Sequence, residues 1–128
     1  MQVQIRPIRE AVFIAEQHVP VELEWDGLDD ECTQLLAFNG DEAVGTARMT
    51  PGGKIGRMAV LKEWRDKGVG SQLLEEMIAV ARAANVSQVV LDAQHSAIPF
   101  YQRFGFTVIS DSFIDAGIQH RKMVKRLE

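Results

Sequence analysis

The segment Val60-Leu61-Lys62-Glu63-Trp64-Arg65-Asp66-Lys67-Gly68-Val69-Gly70-Ser71 constrains this chain more than any other. An apolar strand ends, a charged loop follows, and Arg65-x-x-Gly68-x-Gly70 opens a long helix. In that helix Leu73, Met77, Ile78, Ala81 and Ala84 recur at three- and four-residue steps. Such a junction suits a phosphate-bearing ligand. The first helical turn leaves its N–H groups unpaired, and the aligned peptide dipoles add partial positive charge there. Glycines let the backbone approach a bulky anion and adopt positive φ. Arg65 and Lys67 add formal charge that pairs with phosphate oxygens. The bland alternative is two glycines that only cap or pack a helix start.

Two rival phosphate patterns are excluded. There is no Gly-x-x-x-x-Gly-Lys-Ser/Thr, hence no P-loop. Gly68-x-Gly70 is followed by Leu73 where a dinucleotide fingerprint needs Gly or Ala, and the turn follows a meander strand instead of opening the fold.

Around this junction the pattern predicts one continuous domain over residues 1–128, with no repeat or linker. Gln2 to Ile8 reads as a first strand and Arg9 to His18 as a short helix ended before Pro20. Val19 to Glu31 is an acidic loop with room for one helical turn. Thr33 to Phe38 and Ala43 to Met49 are strands joined at Asn39-Gly40-Asp41, and Lys54 to Leu61 is a third. The long helix spans Val69 to Ala84, Val89 to Leu91 is a buried strand, and a second helix covers Ser96 to Phe104 before Gly105. Phe106 to Ser110 and Lys122 to Leu127 close a mixed sheet flanked by helices.

Charge is segregated along the chain. Glu10, Glu16, Glu22, Glu24, Asp26, Asp29, Asp30, Glu31, Asp41 and Glu42 fall in a stretch without a Lys or Arg, whereas basic residues outnumber acidic ones from Arg48 onward. The front of the chain suits a cation and the back an anion. A net charge of −4 argues against general nucleic-acid binding. No apolar run is long enough to span a membrane, and Met1 to Arg9 reads as a mixed polar-apolar strand pattern without the apolar core of a signal peptide. With Cys32 alone there is no internal disulfide, so a reducing cytoplasm is expected.

Taken together, these segments resemble the GNAT acetyltransferase superfamily. Arg65-x-x-Gly68-x-Gly70 is similar to its motif A, and Gly56-Arg57-Met58-Ala59-Val60 looks like the strand that pairs with the pantetheine arm of acetyl-CoA. Leu91 to Phe106, ending in Phe100-Tyr101-x-x-x-Gly105-Phe106, resembles motif B. Val12 to Gln17, Val19-Pro20, Glu22 to Asp26 and Gly117 to His120 are similar to the ElaA/YjcF-like branch. Many members of the superfamily have Asn where Gln94 stands here, and the Ala93-Gln94 pair is similar to this branch. The resemblance implies an α+β fold: a mostly antiparallel sheet of six or seven strands with about four helices, its central strands splayed around acetyl-CoA. It implies cofactor contacts from Met58, Ala59, Val60, Arg65, Asp66, Lys67, Gly68, Val69, Gly70, Ser71, Gln94 and Tyr101, and no metal.

The implied reaction moves an acetyl group from acetyl-CoA to a primary amine by direct attack. The amine must first be neutral, and deprotonating a lysine-like amine at neutral pH costs about 4–5 kcal/mol. The acidic loop nominates Glu16, Glu22 and Glu24 as bases and predicts a cationic small-molecule or peptide acceptor; His120 is a further candidate. The resemblance places Tyr101 as acid for the leaving thiolate; packing beside Phe100 and Phe104 is the structural alternative. His18 and His95 read as structural. No ligand spacing suggests a metal, Ser71 and Ser96 lack a nucleophile motif, and Cys32 sits among acids that raise its pKa. A non-catalytic acyl-CoA-binding module and a nucleotide binder are the competing readings. Phe113, Ile114 and Ile118 offer either a homodimer contact or core.

Overall fold

The chain opens with a helix where the sequence pattern suggests a strand. In the computed structural model, which describes residues 2–127, α1 spans Gln2–Arg9 and runs on into a wider π-type coil over Glu10–Glu16. Val3 and Ile5 alternate as in a strand, yet Ile5, Ile8 and Val12 also recur at helical steps. Those three are buried, while Val3 is 86% exposed. Pro7 sits inside the helix without an N–H to give, and the burial of this face overrides that local penalty. The helix expected over Arg9 to His18 is thus the second part of a longer one that ends at Glu16.

The single turn α2, Val21–Glu24, precedes a meander of β1 (Thr33–Asn39), β2 (Glu42–Met49) and β3 (Ile55–Val60). Asn39 pairs with Glu42, so the tight turn is Gly40-Asp41, with Gly40 at φ 61°. Then come α3 (Val69–Ala83), β4 (Gln88–Gln94), α4 (Ile98–Arg103), β5 (Thr107–Val108), β6 (Phe113–Asp115) and β7 (Ile118–Arg126). In this second antiparallel sheet β7 pairs with β4 on one edge and with β5 and β6 on the other. The closing strand begins at Ile118, earlier than its pattern suggests, because β6 folds back onto it. β6 itself is too short to show a period. Phe113 and Ile118 are half-buried in this hairpin, and Ile114 is exposed.

The facing edges of the two sheets, β3 and β4, are joined among the described residues by a parallel bridge from Lys54, just before β3, to Val90, and then part. This is the splay that the family resemblance implies. One face of the opening is closed by α3, whose Leu73, Leu74, Met77 and Ala81 pack in one core with Ala47 and Met49 of the first sheet and Val89, Leu91 and Met123 of the second. On the other face Ile8 and Val12 pack on Ala59.

The bridge depends on one glycine. The Val90 N–H donates to the Gly53 carbonyl at 3.0 Å, and Gly53 has φ 95°. A Cβ there would lie 2.8 Å from the Gln88 carbonyl oxygen, which is backbone and cannot swing aside. Gly53→Ala is therefore expected to destabilise by about 1–3 kcal/mol through strain alone. An unchanged melting temperature would show that the bridge is not under this constraint.

Candidate active site

Where β3 and β4 part, a cleft of about 270 Å³ opens on the face covered by α1. Its walls include Arg57 and Met58 of β3, Asp92 and Gln94 of β4, Tyr101 of α4 and His120 of β7. The β3 wall is shaped by a break in register. The β2–β3 ladder slips between Thr46 and Arg48, and Arg57 takes φ 50°, a bulge that re-aims its side chain. Further along, the Leu61 N–H bonds to the Val44 carbonyl, so ladder alternation turns the backbone of Val60 and Met58 away from β2. Ala59 faces the ladder, opposite Thr46, with its side chain buried.

At the far end of β3 stands the glycine turn. Gly68 caps α3 at φ 85°, a left-handed conformation that suits glycine, and no side chain caps the helix. The first helical bond runs from the Gln72 N–H to the Gly68 carbonyl, so Val69, Gly70 and Ser71 present free N–H groups. Asp66 and Lys67 are exposed beside them. Arg65 is committed elsewhere: Nε donates to the Val60 carbonyl, and Nη1 and Nη2 grip Glu16.

The candidate acid and bases fare differently. Tyr101 is half-buried, edge-on to Phe100 and Phe106 with centroids 5.2 and 5.9 Å away. Desolvation pushes its hydroxyl up to about 12, so it holds its proton at neutral pH. His120 is buried, stacked on Phe113, and lies beside Gln94 in the ladder. Its Nδ1 lies 2.7 Å from the Ile118 carbonyl. A carbonyl only accepts, so Nδ1 carries the hydrogen and Nε2 of the neutral ring keeps its lone pair. Glu22 is exposed and outside the cleft wall. Glu16 is held by Arg65. Glu24 lines the cleft, but it is bound to Arg9 at 2.5 Å and lies 3.2 Å from Arg57 Nε.

That binding takes in half of the acidic loop, Glu24, Asp26 and Asp29. Asp29 bridges Arg9 and Arg48 at 2.7 and 3.0 Å, and Asp26 pairs with Arg48 and Arg57. The Arg48 hydrogen bond holds the Asp26 carboxyl well below the usual range, whereas burial pushes Glu24 up against the pull of Arg9. Three carboxylates thus face three guanidinium groups, with the Trp25 ring 4.2 and 4.6 Å from Arg6 and Arg9. Half of the negative charge expected of this loop is thus matched by arginines from outside it, while Glu22, Asp30 and Glu31 stay exposed.

The family model for the acetyltransferase (GNAT) domain matches residues 2–127. The chain belongs to the GNAT acetyltransferase family. Among relatives of this GNAT protein is the uncharacterized N-acetyltransferase YjcF of Bacillus subtilis (strain 168), 40% identical over 122 residues that cover 92% of this chain and 87% of that one. The crystal structure of Escherichia coli ElaA superposes with a TM-score of 0.86 at 28% identity, covering 97% and 88% of the two chains. A GNAT family acetyltransferase from Elizabethkingia anophelis, solved with acetyl-CoA bound, shares the fold at TM-score 0.73 and 18% identity, over 91% and 88%.

Sequence reasoning passed over the roles of several residues that line or support this GNAT cleft. Arg57 has the strand parity of the buried Ile55, and a charge at that parity signals a register break. Arg9 shares the helix face of Ile5, Ile8 and Val12, where a fully buried cation requires partners. Asp92 interrupts an apolar strand. Its Oδ1 and Arg57 Nε are the buried side-chain polar atoms left without a hydrogen bond among the described residues, and both residues line the cleft.

Proposed function

We propose that this protein transfers an acetyl group from acetyl-CoA to a primary amine of a small molecule or peptide, by direct attack in a ternary complex. The observation that carries the reading is one cleft walled by Met58, Tyr101 and His120, with an uncapped helix start at the end of the same strand. The fit to acetyl-CoA is good at both ends. The free N–H groups of Val69, Gly70 and Ser71 would hold its diphosphate, and the out-turned backbone of Met58 and Val60 would pair with the amides of its pantetheine arm, with Gln94 on the facing wall. Bound there, acetyl-CoA supplies an activated thioester.

The chain's own residues then have separable tasks. His120 Nε2 takes the proton of the incoming ammonium. As the C–N bond forms and the C–S bond breaks, the Tyr101 hydroxyl, kept protonated by its burial, gives a proton to the departing sulfur. The second proton, shed by the new amide nitrogen, restores the Tyr101 hydroxyl. Glu24 stabilises the cleft wall; its carboxylate already serves two arginines. With Glu24, Asp26 and Asp29 so paired, a cationic acceptor would be drawn chiefly by Glu22 and by Asp115 at the cleft rim. No helix among the described residues is long and apolar enough to cross a membrane. The cytoplasm, where acetyl-CoA is made available, is the compartment this reading assigns.

The test is thiol release from acetyl-CoA across a panel of primary amines. With the best amine, His120→Gln and Tyr101→Phe are each expected to lower kcat/KM about 10²-fold, near the low end for acid–base catalysis. A wild-type protein that binds acetyl-CoA yet acetylates no amine would instead be a non-catalytic acyl-CoA-binding module. Full activity in His120→Gln would remove that residue as the base.

A further inference from the structure

Arg65 stands beside the glycine turn with its charge already matched. Nε donates to the Val60 carbonyl at 3.0 Å, Nη1 to Glu16 Oε2 at 2.9 Å and Nη2 to Glu16 Oε1 at 2.6 Å. The two-pronged contact is the strong, geometrically specific form of an ion pair. It joins residues 49 positions apart, one at the end of the coil that follows α1 and one in the loop before α3. Lys62 adds to the field on Glu16, whose carboxyl is held below its usual value, first of all by the Arg65 hydrogen bond. The next residue, Gln17, accepts a hydrogen bond from Gln94 in the cleft wall at 2.9 Å. Two consecutive side chains therefore fasten the helical wall of the cleft, one to the glycine turn and one to β4.

Charge counting gives this pair a consequence for ligand binding. A diphosphate on the N–H groups of Val69, Gly70 and Ser71 would meet a net-neutral pair at Arg65 in place of a free cation. We propose that Glu16 is a positioning residue: it holds Arg65 as its own counter-ion, locks the acceptor-side helix to the cofactor turn, and leaves the α3 backbone to bind the diphosphate of acetyl-CoA. This rests on the acetyl-CoA reading above.

Calorimetric titration with coenzyme A at low salt tests it on wild type, Glu16→Gln, Arg65→Ala and the double variant. Glu16→Gln frees a forked cation beside the turn and is expected to tighten Kd about 3- to 10-fold, with a steeper salt dependence. Arg65→Ala uncovers the Glu16 carboxylate and is expected to weaken Kd about 10-fold, while the double variant returns to within about threefold of wild type. The pair is more than a third exposed on both sides, so these variants are expected to fold, as unliganded melting curves would verify. A tighter complex is not something that mere loss of a structural contact produces. An unchanged or weaker Glu16→Gln complex would overturn the proposal. So would a double variant as weak as Arg65→Ala, which would make Arg65 a direct phosphate ligand. Wild type without any coenzyme A binding would instead overturn the acetyl-CoA reading and this proposal with it.

Discussion

Gly70→Glu is expected to abolish acetyl-CoA binding while leaving the fold intact. With ligand a hundredfold above Kd, mass action stabilises the wild type by about 2.7 kcal/mol, or roughly 10 °C for a chain of this length. In the variant that shift should vanish, with affinity down more than about 10³-fold, because a carboxylate replaces open space where a diphosphate would meet Val69, Gly70 and Ser71. The unliganded melting temperature should hardly move. A Cβ at Gly70 would meet the Phe100 ring at 3.7 Å, an ordinary contact, and an acidic residue in the first turn of a helix is favourable. Gly70→Ala adds the Cβ alone, without the longer side chain or its charge, and should retain most of the shift. A wild type that shows no shift with acetyl-CoA would sink the cofactor assignment. A Gly70→Glu protein that shifts normally would move the diphosphate away from this turn.

That this turn was legible in the sequence, and the ion network beside it was not, follows from how far each reaches. Arg65 to Gly70 form one uninterrupted turn whose geometry is dictated locally by a left-handed Gly68 and a helix start without a cap. The three-stranded meander was equally local, as was the amphipathic α3. The splay between β3 and β4 is not local: nothing in the spacing of either strand shows it, and only the likeness to the family suggested it. Arg9 meets Glu24 across 15 positions, Arg48 meets Asp26 across 22 and Arg57 meets Asp26 across 31. A periodicity argument has no access to such pairs, so the acidic loop looked like a free negative surface. The opening helix was missed for the opposite reason. Val3 and Ile5 satisfy a two-residue period over too few positions to outweigh the Ile5, Ile8, Val12 spacing, and Pro7 weighed against a helix. His120 could be named from sequence, but the tautomer that makes Nε2 a base depends on the Ile118 carbonyl within the hairpin.

Removing one member of the ion network should cost more stability than any other single side-chain change considered so far. The Arg9 and Glu24 side chains are 1% and 2% exposed and lie 2.5 Å apart. Truncating one partner of a buried pair strands the other's charge in a low-dielectric interior, at about 3–5 kcal/mol. Arg9 keeps Asp29 at 2.7 Å, which places Glu24→Ala near the lower end, about 3 kcal/mol or roughly 12 °C in thermal unfolding without ligand. The double variant Arg9→Ala with Glu24→Ala should lose less than the sum of the singles, since neither leaves the other unpaired. Acid titration supplies a second reading of the same network. Asp26 and Asp29 have folded-state pKa values below their unfolded ones, so the stability they give is complete above about pH 4 and is lost as pH falls through their depressed values. Glu24 acts with the opposite sign: burial raises its pKa, so its penalty for ionising is relieved as pH drops through that raised value. Asp26→Asn should therefore flatten the acid limb of the stability curve below about pH 4 and lower the neutral-pH plateau. A Glu24→Ala protein that melts with the wild type would mean that water reaches Arg9. In that case Asp29 and that water would satisfy Arg9, and the buried Arg9–Glu24 pair would carry no measurable share of the stability of the fold.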